Sequence, residues 1–229
     1  YAASRFLNAS VLAVDLSLTS LAYAMRKTQE LGFSNIQYVQ GDITELRRLG
    51  RRFDLIECVG VLHHLDDPLT GWQVLVDLLP SRGVLKIGLY SEIARQDIIS
   101  WPSLVDEKSY TTSPEDIRQC RQDIIAMGED GYREMSKLSH CPDFFSLSNC
   151  RDLLFHVQEH RFTLPQIETA LQILKLKFLG FGMRDRRPFM EFMESNSISN
   201  GLTSLALWHK FQLENPNKIS GYPIWCQKL

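Results

Sequence analysis

The first ninety residues alternate between short apolar runs and longer stretches in which apolar residues recur at helical spacing. The apolar runs have the length of buried strands, and they lie at residues 10–15, 36–40, 53–59 and 84–90. Helical spacing predicts one helix from about Leu18 to Leu31, capped by Ser17, and another from about Leu69 to Leu79. Residues 1–6 have the character of a helix tail. This alternation predicts a parallel sheet with crossover helices, which is the α/β class.

The pattern changes between Ser91 and about Arg161, where the chain is polar, partly helical and interrupted by prolines and glycines. Because this stretch is too long for a connecting loop in a compact domain, we interpret it as a helical insertion. After it, Thr163 and Pro165 predict the start of a helix that ends near Leu174. The pattern then predicts a strand, a short helix and a last strand at residues 175–181, 202–211 and 221–228.

Charge and cysteine usage narrow the classes of function. The net charge of −2 argues against a nucleic-acid partner, because nucleic acid is usually bound by a basic face. Arginine clusters at residues 47–52 and 184–187 are interpreted as solvated surface. No stretch is typical of a signal peptide or a membrane span. The five cysteines are irregularly spaced and form no CxxC pair, which favours reduced thiols in a cytoplasmic protein.

Acidic residues stand at the ends of the first two predicted strands. Asp15 closes the apolar run Val11–Val14, and Gly41-Asp42-Ile43 follows the second strand. In an open α/β sheet the carboxyl ends of the strands border the crevice that binds nucleotides. A carboxylate there can accept hydrogen bonds from both ribose hydroxyls, and the alternative for Asp15 is a cap on the next helix. The alternative for Asp42 is a turn residue after Gly41.

The third strand leads into a segment that carries a thiol and two histidines, residues 57–65. We expect Cys58, near the end of the strand, to be a wall residue rather than a nucleophile. His63 and His64 are adjacent, so on a helix they cannot both point into one pocket. His63 is a candidate base, and the alternative is a structural histidine beside the pocket rim. A metal site is not expected because no third ligand is nearby.

A second polar group occurs in the insertion, formed by His156, Glu159, His160 and Arg161. On a helix, residues 156, 159 and 160 would share one face, with Phe155 and Phe162 beside them. This spacing predicts either a substrate-facing cluster or a surface face of ion pairs.

Taken together, these motifs resemble class I S-adenosylmethionine-dependent methyltransferases. The resemblance rests on Asp15, on residues 41–43, on the run 53–65 and on the strand that opens at Gly83. It covers residues 1–90 and the final strands from residue 175. Residues 156–165 and 208–227 are similar to bacterial methyltransferases joined to tetratricopeptide repeats. The family's first strand and glycine-rich loop would precede Tyr1, so we expect an N-terminally truncated chain.

The resemblance implies a Rossmann-like, doubly wound, mostly parallel sheet whose last strand is antiparallel. Its domain would comprise residues 1–90 and 162–229, with residues 91–161 as a substrate lid. It also implies S-adenosylmethionine as cofactor. Asp15 would hold the ribose, Leu16 would pack against the adenine, and Asp42 would accept a hydrogen bond from the adenine amino group. The remaining contacts would come from Ile43 over the adenine ring and from Cys58 and Val59 beneath the sulfonium.

The resemblance further implies methyl transfer to a protein, a peptide or a small molecule. An amine or hydroxyl acceptor needs a base for its proton, and the candidates are His63, His156 and His160. Two alternatives stay open. One is a non-catalytic, methyltransferase-like binding module. The other is an NAD-dependent oxidoreductase, because an acidic residue in the place of Asp15, after the family's second strand, occurs in that class as well. The sequence carries no signal for an oligomeric state.

Overall fold

The computed structural model describes residues 2–95, 105, 107–129, 142–155, 159–183, 185–195 and 201–229. Its first part comprises α1 (Ala2–Arg5), β1 (Val11–Asp15), α2 (Leu18–Glu30), β2 (Ile36–Gln40), β3 (Leu55–Val59), α3 (Pro68–Asp77) and β4 (Val84–Ser91). Short 3-10 helices precede β3 and α3, at Ile43–Leu49 and Leu62–His64. The insertion contains α4 (Pro114–Glu129), a 3-10 helix (Pro142–Phe145) and α5 (Leu147–Leu154). The last part comprises β5 (Arg161–Phe162), α6 (Leu164–Ile173), β6 (Leu176–Phe181), α7 (Arg187–Ser195), a 3-10 helix (Gly201–Thr203), α8 (Leu205–Glu214) and β7 (Gly221–Lys228).

The predicted helix caps are confirmed. The Ser17 hydroxyl accepts a hydrogen bond from the amide of Ser20, which satisfies a donor at the start of α2. Thr163 and Gln166 exchange side-chain and backbone hydrogen bonds in a capping box at the start of α6. Local polar residues therefore set where these helices begin, as the sequence predicts.

The strands form two hydrogen-bonded groups. β1 and β2 pair in parallel, and the larger group has the order β3-β4-β7-β6. β3 is parallel to β4, whereas β7 runs antiparallel to both β4 and β6. β3 ends opposite Gly88, and the two residues of β5 then pair with Tyr90 and Ser91 of β4. The predicted fold class, a mostly parallel α/β sheet with an antiparallel last strand, is confirmed.

The 3-10 helix after β2 connects the two groups of strands. Its Ile43 and Leu46 side chains pack against the core of the larger sheet. On its outer side the Arg47 guanidinium lies 2.7 Å from the Asp77 carboxylate at the end of α3. This helix, which the sequence analysis did not predict, therefore attaches the β1–β2 pair to the rest of the domain.

The main core lies between the larger sheet and the helices α3, α6 and α8. Its aromatic centre is Trp208, whose ring stacks on that of Phe192 with centroids 3.8 Å apart. Phe192 belongs to α7, a second element that the sequence analysis missed. Asp185, which accepts the amide hydrogen bond of Arg187 at 3.0 Å, together with Pro188 was the local signal for this helix.

The insertion has a hydrophobic cluster of its own. Buried side chains of α4 and α5, among them Ile117, Cys120, Ile124 and Cys150, pack together with Phe144. These residues form a cluster separate from the main core. The division into a methyltransferase domain and an inserted lid stays a prediction. None of the described helices is long and apolar enough to cross a membrane.

Candidate functional site

The two candidate carboxylates lie at the same end of the β1–β2 ladder. Asp15, the last residue of β1, stands opposite Gln40, the last residue of β2. The amide of Gly41 extends the pairing by donating to the Asp15 carbonyl at 3.1 Å. Asp42 follows at once and caps the 3-10 helix. The parallel register therefore brings Asp15 and Asp42 to one edge of the sheet.

Each carboxylate also supports its own turn. Oδ1 of Asp15 accepts a hydrogen bond from the Ser17 amide at 2.8 Å. Oδ1 of Asp42 accepts bonds from the amide and the hydroxyl of Thr44, at 2.8 and 2.7 Å. The bond from the Thr44 hydroxyl, then that from its amide, lowers the pKa of Asp42 below its usual value. Among the described residues, no hydrogen bond falls on Oδ2 of either carboxylate.

The apolar residues named beside these carboxylates differ in exposure. Leu16 is 63% exposed, directly after Asp15. Ile43 is half-buried and packs against the main core. Val59 is 56% exposed at the carboxyl end of β3, next to Gly88 of β4. A Cβ at Gly88 would lie 2.7 Å from Cγ1 of Val59, so only glycine leaves Val59 in its place.

Cys58 precedes Val59 on β3 and is buried. Burial raises the pKa of its thiol to about 12, although a hydrogen bond with the backbone of Leu62 lowers it slightly. A thiol with this pKa stays protonated near neutral pH and is a poor nucleophile. These properties agree with the expectation of a wall residue.

The histidine pair stands on the 3-10 helix that follows β3. His63 is 1% exposed, and its ring centroid lies 4.0 Å from that of Tyr90 on β4 and 4.2 Å from that of His64. The ring of His64 also faces Tyr90, with centroids 6.2 Å apart. The turn is a three-residue 3-10 helix, and both rings contact Tyr90, with His63 buried and His64 half-buried. That only one of the two histidines can point into a pocket stays a prediction.

The predicted helical cluster in the insertion is wrong for Glu159 and His160. Helix α5 ends at Leu154, and Glu159 and His160 lie in a non-helical segment that leads into β5. The chain extends there because Arg161 pairs with Tyr90 of β4. His156 lies outside the described residues. Phe155 packs in the insertion cluster, while Phe162 packs against the main core.

The structure nevertheless brings His160 to His63. The amide of His160 donates a hydrogen bond to the His63 carbonyl at 2.8 Å. The carboxylate of Glu159 lies 3.2 Å from Nε of Arg95 and 3.0 Å from Nε of Arg161. Two of the three candidate bases therefore meet at the carboxyl end of β4, beside a buried cluster of charges.

Tyr90 and Arg95 are members of this site that sequence reasoning did not single out. Tyr90 closes a predicted strand and looks like an ordinary strand residue, and Arg95 lies in a polar stretch. The only local signal is an aromatic residue at a strand end followed by a cation. Their association with His63 depends on contacts between distant parts of the chain.

A surface groove of about 320 Å³ lies beside His160. Its apolar floor comes from α3 and α6, and includes Leu69, Trp72 and Ala170. Its polar rim includes Asp67 and His160. Asp67 caps α3 through hydrogen bonds with the amides of Leu69 and Thr70, as expected for an acidic residue before a helix.

Residues 1–83 match the family model described as "Methyltransferase domain". An uncharacterized protein of a Synechococcus strain, syc1184_c, is 29% identical over 217 residues, which is 90% of this chain and 51% of the relative. The chain therefore spans about half the length of that relative.

Two solved structures of PKMT2 from Rickettsia typhi share the fold of almost the whole chain. Each superposes with a TM-score of 0.66 over 98% of this chain and 44% of the Rickettsia chain. Sequence identity is 14% for one and 16% for the other, which is a complex with AdoHcy. Residues 1–83 therefore match a methyltransferase domain, and the chain as a whole shares the fold of these two structures.

Proposed function

We propose that this protein transfers a methyl group from S-adenosylmethionine to an amine or hydroxyl of an acceptor. The observation that carries the proposal is the placement of Asp15 and Asp42 at one end of the β1–β2 ladder. The AdoHcy complex of a Rickettsia protein with the same fold gives further support.

The residues at this edge suit the donor chemically. In the proposal, Asp15 binds the ribose hydroxyls and Asp42 accepts a hydrogen bond from the adenine amino group. The Oδ2 atoms, which accept no hydrogen bond from the described residues, supply these contacts. Leu16 and Ile43 cover the adenine, and the exposed Val59 with the protonated Cys58 forms the wall near the sulfonium.

When bound, S-adenosylmethionine supplies a methyl group on a positively charged sulfur, which is lost as a neutral thioether when the acceptor's lone pair bonds to the methyl carbon. The protein's own contribution is to orient the acceptor, exclude water and take its proton. His160, half-buried on the groove rim, is better placed to receive that proton than His63, which is enclosed by other rings. His63 then supports the segment that carries His160, through its carbonyl.

The acceptor belongs to the class of proteins, peptides or small molecules, and the insertion is proposed as the lid above it. Cys58, Cys120, Cys150 and Cys226 are free thiols, which supports a reducing, cytoplasmic location. Incubation of the full-length protein with radiolabelled methyl donor and a cell lysate, followed by fractionation, would identify the acceptor. Label in the RNA fraction alone would contradict the proposed acceptor class.

Calorimetric titration of the full-length protein with S-adenosylmethionine, S-adenosylhomocysteine and NAD tests cofactor use. We expect heat from the first two ligands only. Asp15→Asn and Asp42→Asn should each weaken binding about tenfold or more, because a charge-assisted hydrogen bond is worth about 1.5–3 kcal/mol. Glu168→Gln, at an exposed position on α6, is the matched control and should bind like the wild type.

The same titration distinguishes the alternatives. Heat with NAD alone would favour an oxidoreductase. No heat with any of the three ligands would favour a non-catalytic binding module. Equal affinities for wild type, Asp15→Asn and Asp42→Asn would show that the cofactor binds elsewhere.

A further inference from the structure

The two ends of the insertion are joined by an ion cluster of the buried Arg95 with the half-buried Glu159 and Arg161, which we call the insertion clamp. Nε of Arg95 lies 3.2 Å and Nε of Arg161 3.0 Å from the same carboxylate oxygen of Glu159. The Arg161 guanidinium also donates to the Arg95 carbonyl at 3.4 Å. Arg95 is only 7% exposed. A charge buried this far is costly unless it is paired, and Arg95 pairs with Glu159 by proximity, because its Nε and Nη2 form no hydrogen bond with the described residues.

Aromatic contacts connect the insertion clamp to the 3-10 helix that carries His63 and His64. The guanidinium carbon of Arg95 stands 3.7 Å from the centroid of the Tyr90 ring. Tyr90 in turn faces His63, with ring centroids 4.0 Å apart. A planar guanidinium can lie flat on an aromatic face while its edge pairs with a carboxylate, whereas a lysine ammonium offers only a point charge to either partner. Arg95 therefore contacts both Glu159 and Tyr90, the residue whose ring faces His63.

The clamp also fixes His160 from both sides. Glu159 and Arg161 are its chain neighbours, and both belong to the clamp. Arg161 pairs with Tyr90 in the sheet, and the His160 amide bonds to the His63 carbonyl. The position of His160 on the groove rim thus depends on the residues that Arg95 holds in place.

We propose that Arg95 is a positioning residue for methyl transfer: through Glu159 it sets the place of His160, and through Tyr90 it sets the place of His63. The inference rests on the proposed function, because it takes His160 as the group that receives the acceptor's proton, with His63 as its support. The proposal gives Arg95 no contact with donor or acceptor, so its loss should change turnover and leave cofactor binding intact.

The test compares Arg95→Met, Arg95→Lys and a matched control, Lys218→Met, in the full-length protein. Lys218 forms an exposed ion pair at 2.7 Å with Glu191 of α7. Three quantities are measured: the ring C–H signals of His63 and His160 by NMR, the affinity for S-adenosylhomocysteine, and steady-state methyl transfer to the labelled acceptor fraction.

In Arg95→Met we expect both histidine signals to shift and kcat to fall about tenfold or more, with S-adenosylhomocysteine affinity within about twofold of the wild type. Arg95→Lys keeps the positive charge but lacks the planar guanidinium, so its kcat should lie between those of Arg95→Met and the wild type. Lys218→Met should match the wild type in all three measurements. If Arg95→Met fails to fold, Arg95→Lys carries the test with the same expected direction.

Unchanged histidine signals or an unchanged kcat in the folded Arg95 variants would overturn the inference. A parallel loss of S-adenosylhomocysteine affinity would also overturn it, because that result indicates a general structural role. A wild-type protein that binds no S-adenosylhomocysteine would instead refute the proposed function, and the NMR shifts would still report whether Arg95 positions the two rings.

Discussion

Gln212 on α8 is the centre of a buried polar triangle that holds the end of β4 in place. Its amide nitrogen donates to the Ser91 hydroxyl at 2.8 Å and to the Ile219 carbonyl at 3.1 Å. Its carbonyl oxygen accepts from the Tyr222 hydroxyl at 2.6 Å, and Tyr222 accepts from Ser91 at 3.0 Å. Burial raises the pKa of Tyr222, so this hydroxyl remains a donor. Ser91 directly follows Tyr90, so the triangle also supports the histidine site.

The cost of breaking the triangle follows from which groups are left without partners. Gln212→Met keeps the side-chain volume but removes three hydrogen bonds. It leaves the Tyr222 hydroxyl proton and the Ile219 carbonyl without a hydrogen-bond partner. At about 1–3 kcal/mol for each buried group left without a partner, we expect a loss of about 2–6 kcal/mol in the free energy of unfolding. Tyr222→Phe leaves the Gln212 side-chain carbonyl and the Ser91 hydroxyl proton without a partner, and should lower the free energy of unfolding by a similar amount.

In the double variant only the Ile219 carbonyl and the Ser91 hydroxyl proton lack a partner. Its loss of unfolding free energy should therefore stay near that of a single variant. A double-mutant cycle in urea, followed by circular dichroism, should therefore give a coupling energy of about 2 kcal/mol or more. Gln227→Met, which removes one exposed hydrogen bond to the Arg82 carbonyl, is the control and should cost less than about 1 kcal/mol. Additive costs for Gln212→Met and Tyr222→Phe would refute the account of a coupled triangle.

Three further outcomes are expected. Gly88→Ala forces Val59 to move, so it should lower the free energy of unfolding in urea by about 1–3 kcal/mol and weaken S-adenosylmethionine binding in calorimetry. In the control Gly41→Ala the added Cβ has its nearest neighbour at 3.6 Å, so the loss of unfolding free energy should be smaller. The hydrogen bond from the Tyr110 hydroxyl, then those from the side chains of Lys108 and Gln119, lowers the pKa of Asp123 to about 2 from 3.8. Its stabilising effect is complete above the unfolded value and is lost as pH falls towards 2, so Asp123→Asn should flatten melting temperature against pH in that window. Thr163→Ala removes the capping box of α6 and should cost about 1 kcal/mol in urea, while no loss would contradict the cap.

The elements of the sheet and most helices were predictable because their signals are local. Ser17 and Thr163 cap the helices they were expected to cap, since a cap depends only on residues within one turn. The strand at residues 36–40 was predicted with the bounds that the structure has, because the segment alternates in character and is closed by Gly41. The antiparallel last strand came from the resemblance and is confirmed.

The polar site was less predictable because its members meet only through the fold. The spacing of residues 156, 159 and 160 suits a helix, yet Glu159 and His160 are drawn into an extended path by the pairing of Arg161 with Tyr90. The contact of Arg95 with Tyr90 likewise has no sequence signature. Helical spacing is a weak guide where long-range pairing and buried charge decide the backbone.

The placement of the cofactor at the ends of β1 and β2 is tested most directly by a structure of the full-length protein with S-adenosylhomocysteine. The account predicts ribose hydroxyls within hydrogen-bond distance of the Asp15 carboxylate and the adenine amino group beside that of Asp42. A ligand bound away from both carboxylates, with each still engaged only in its own turn, would contradict it.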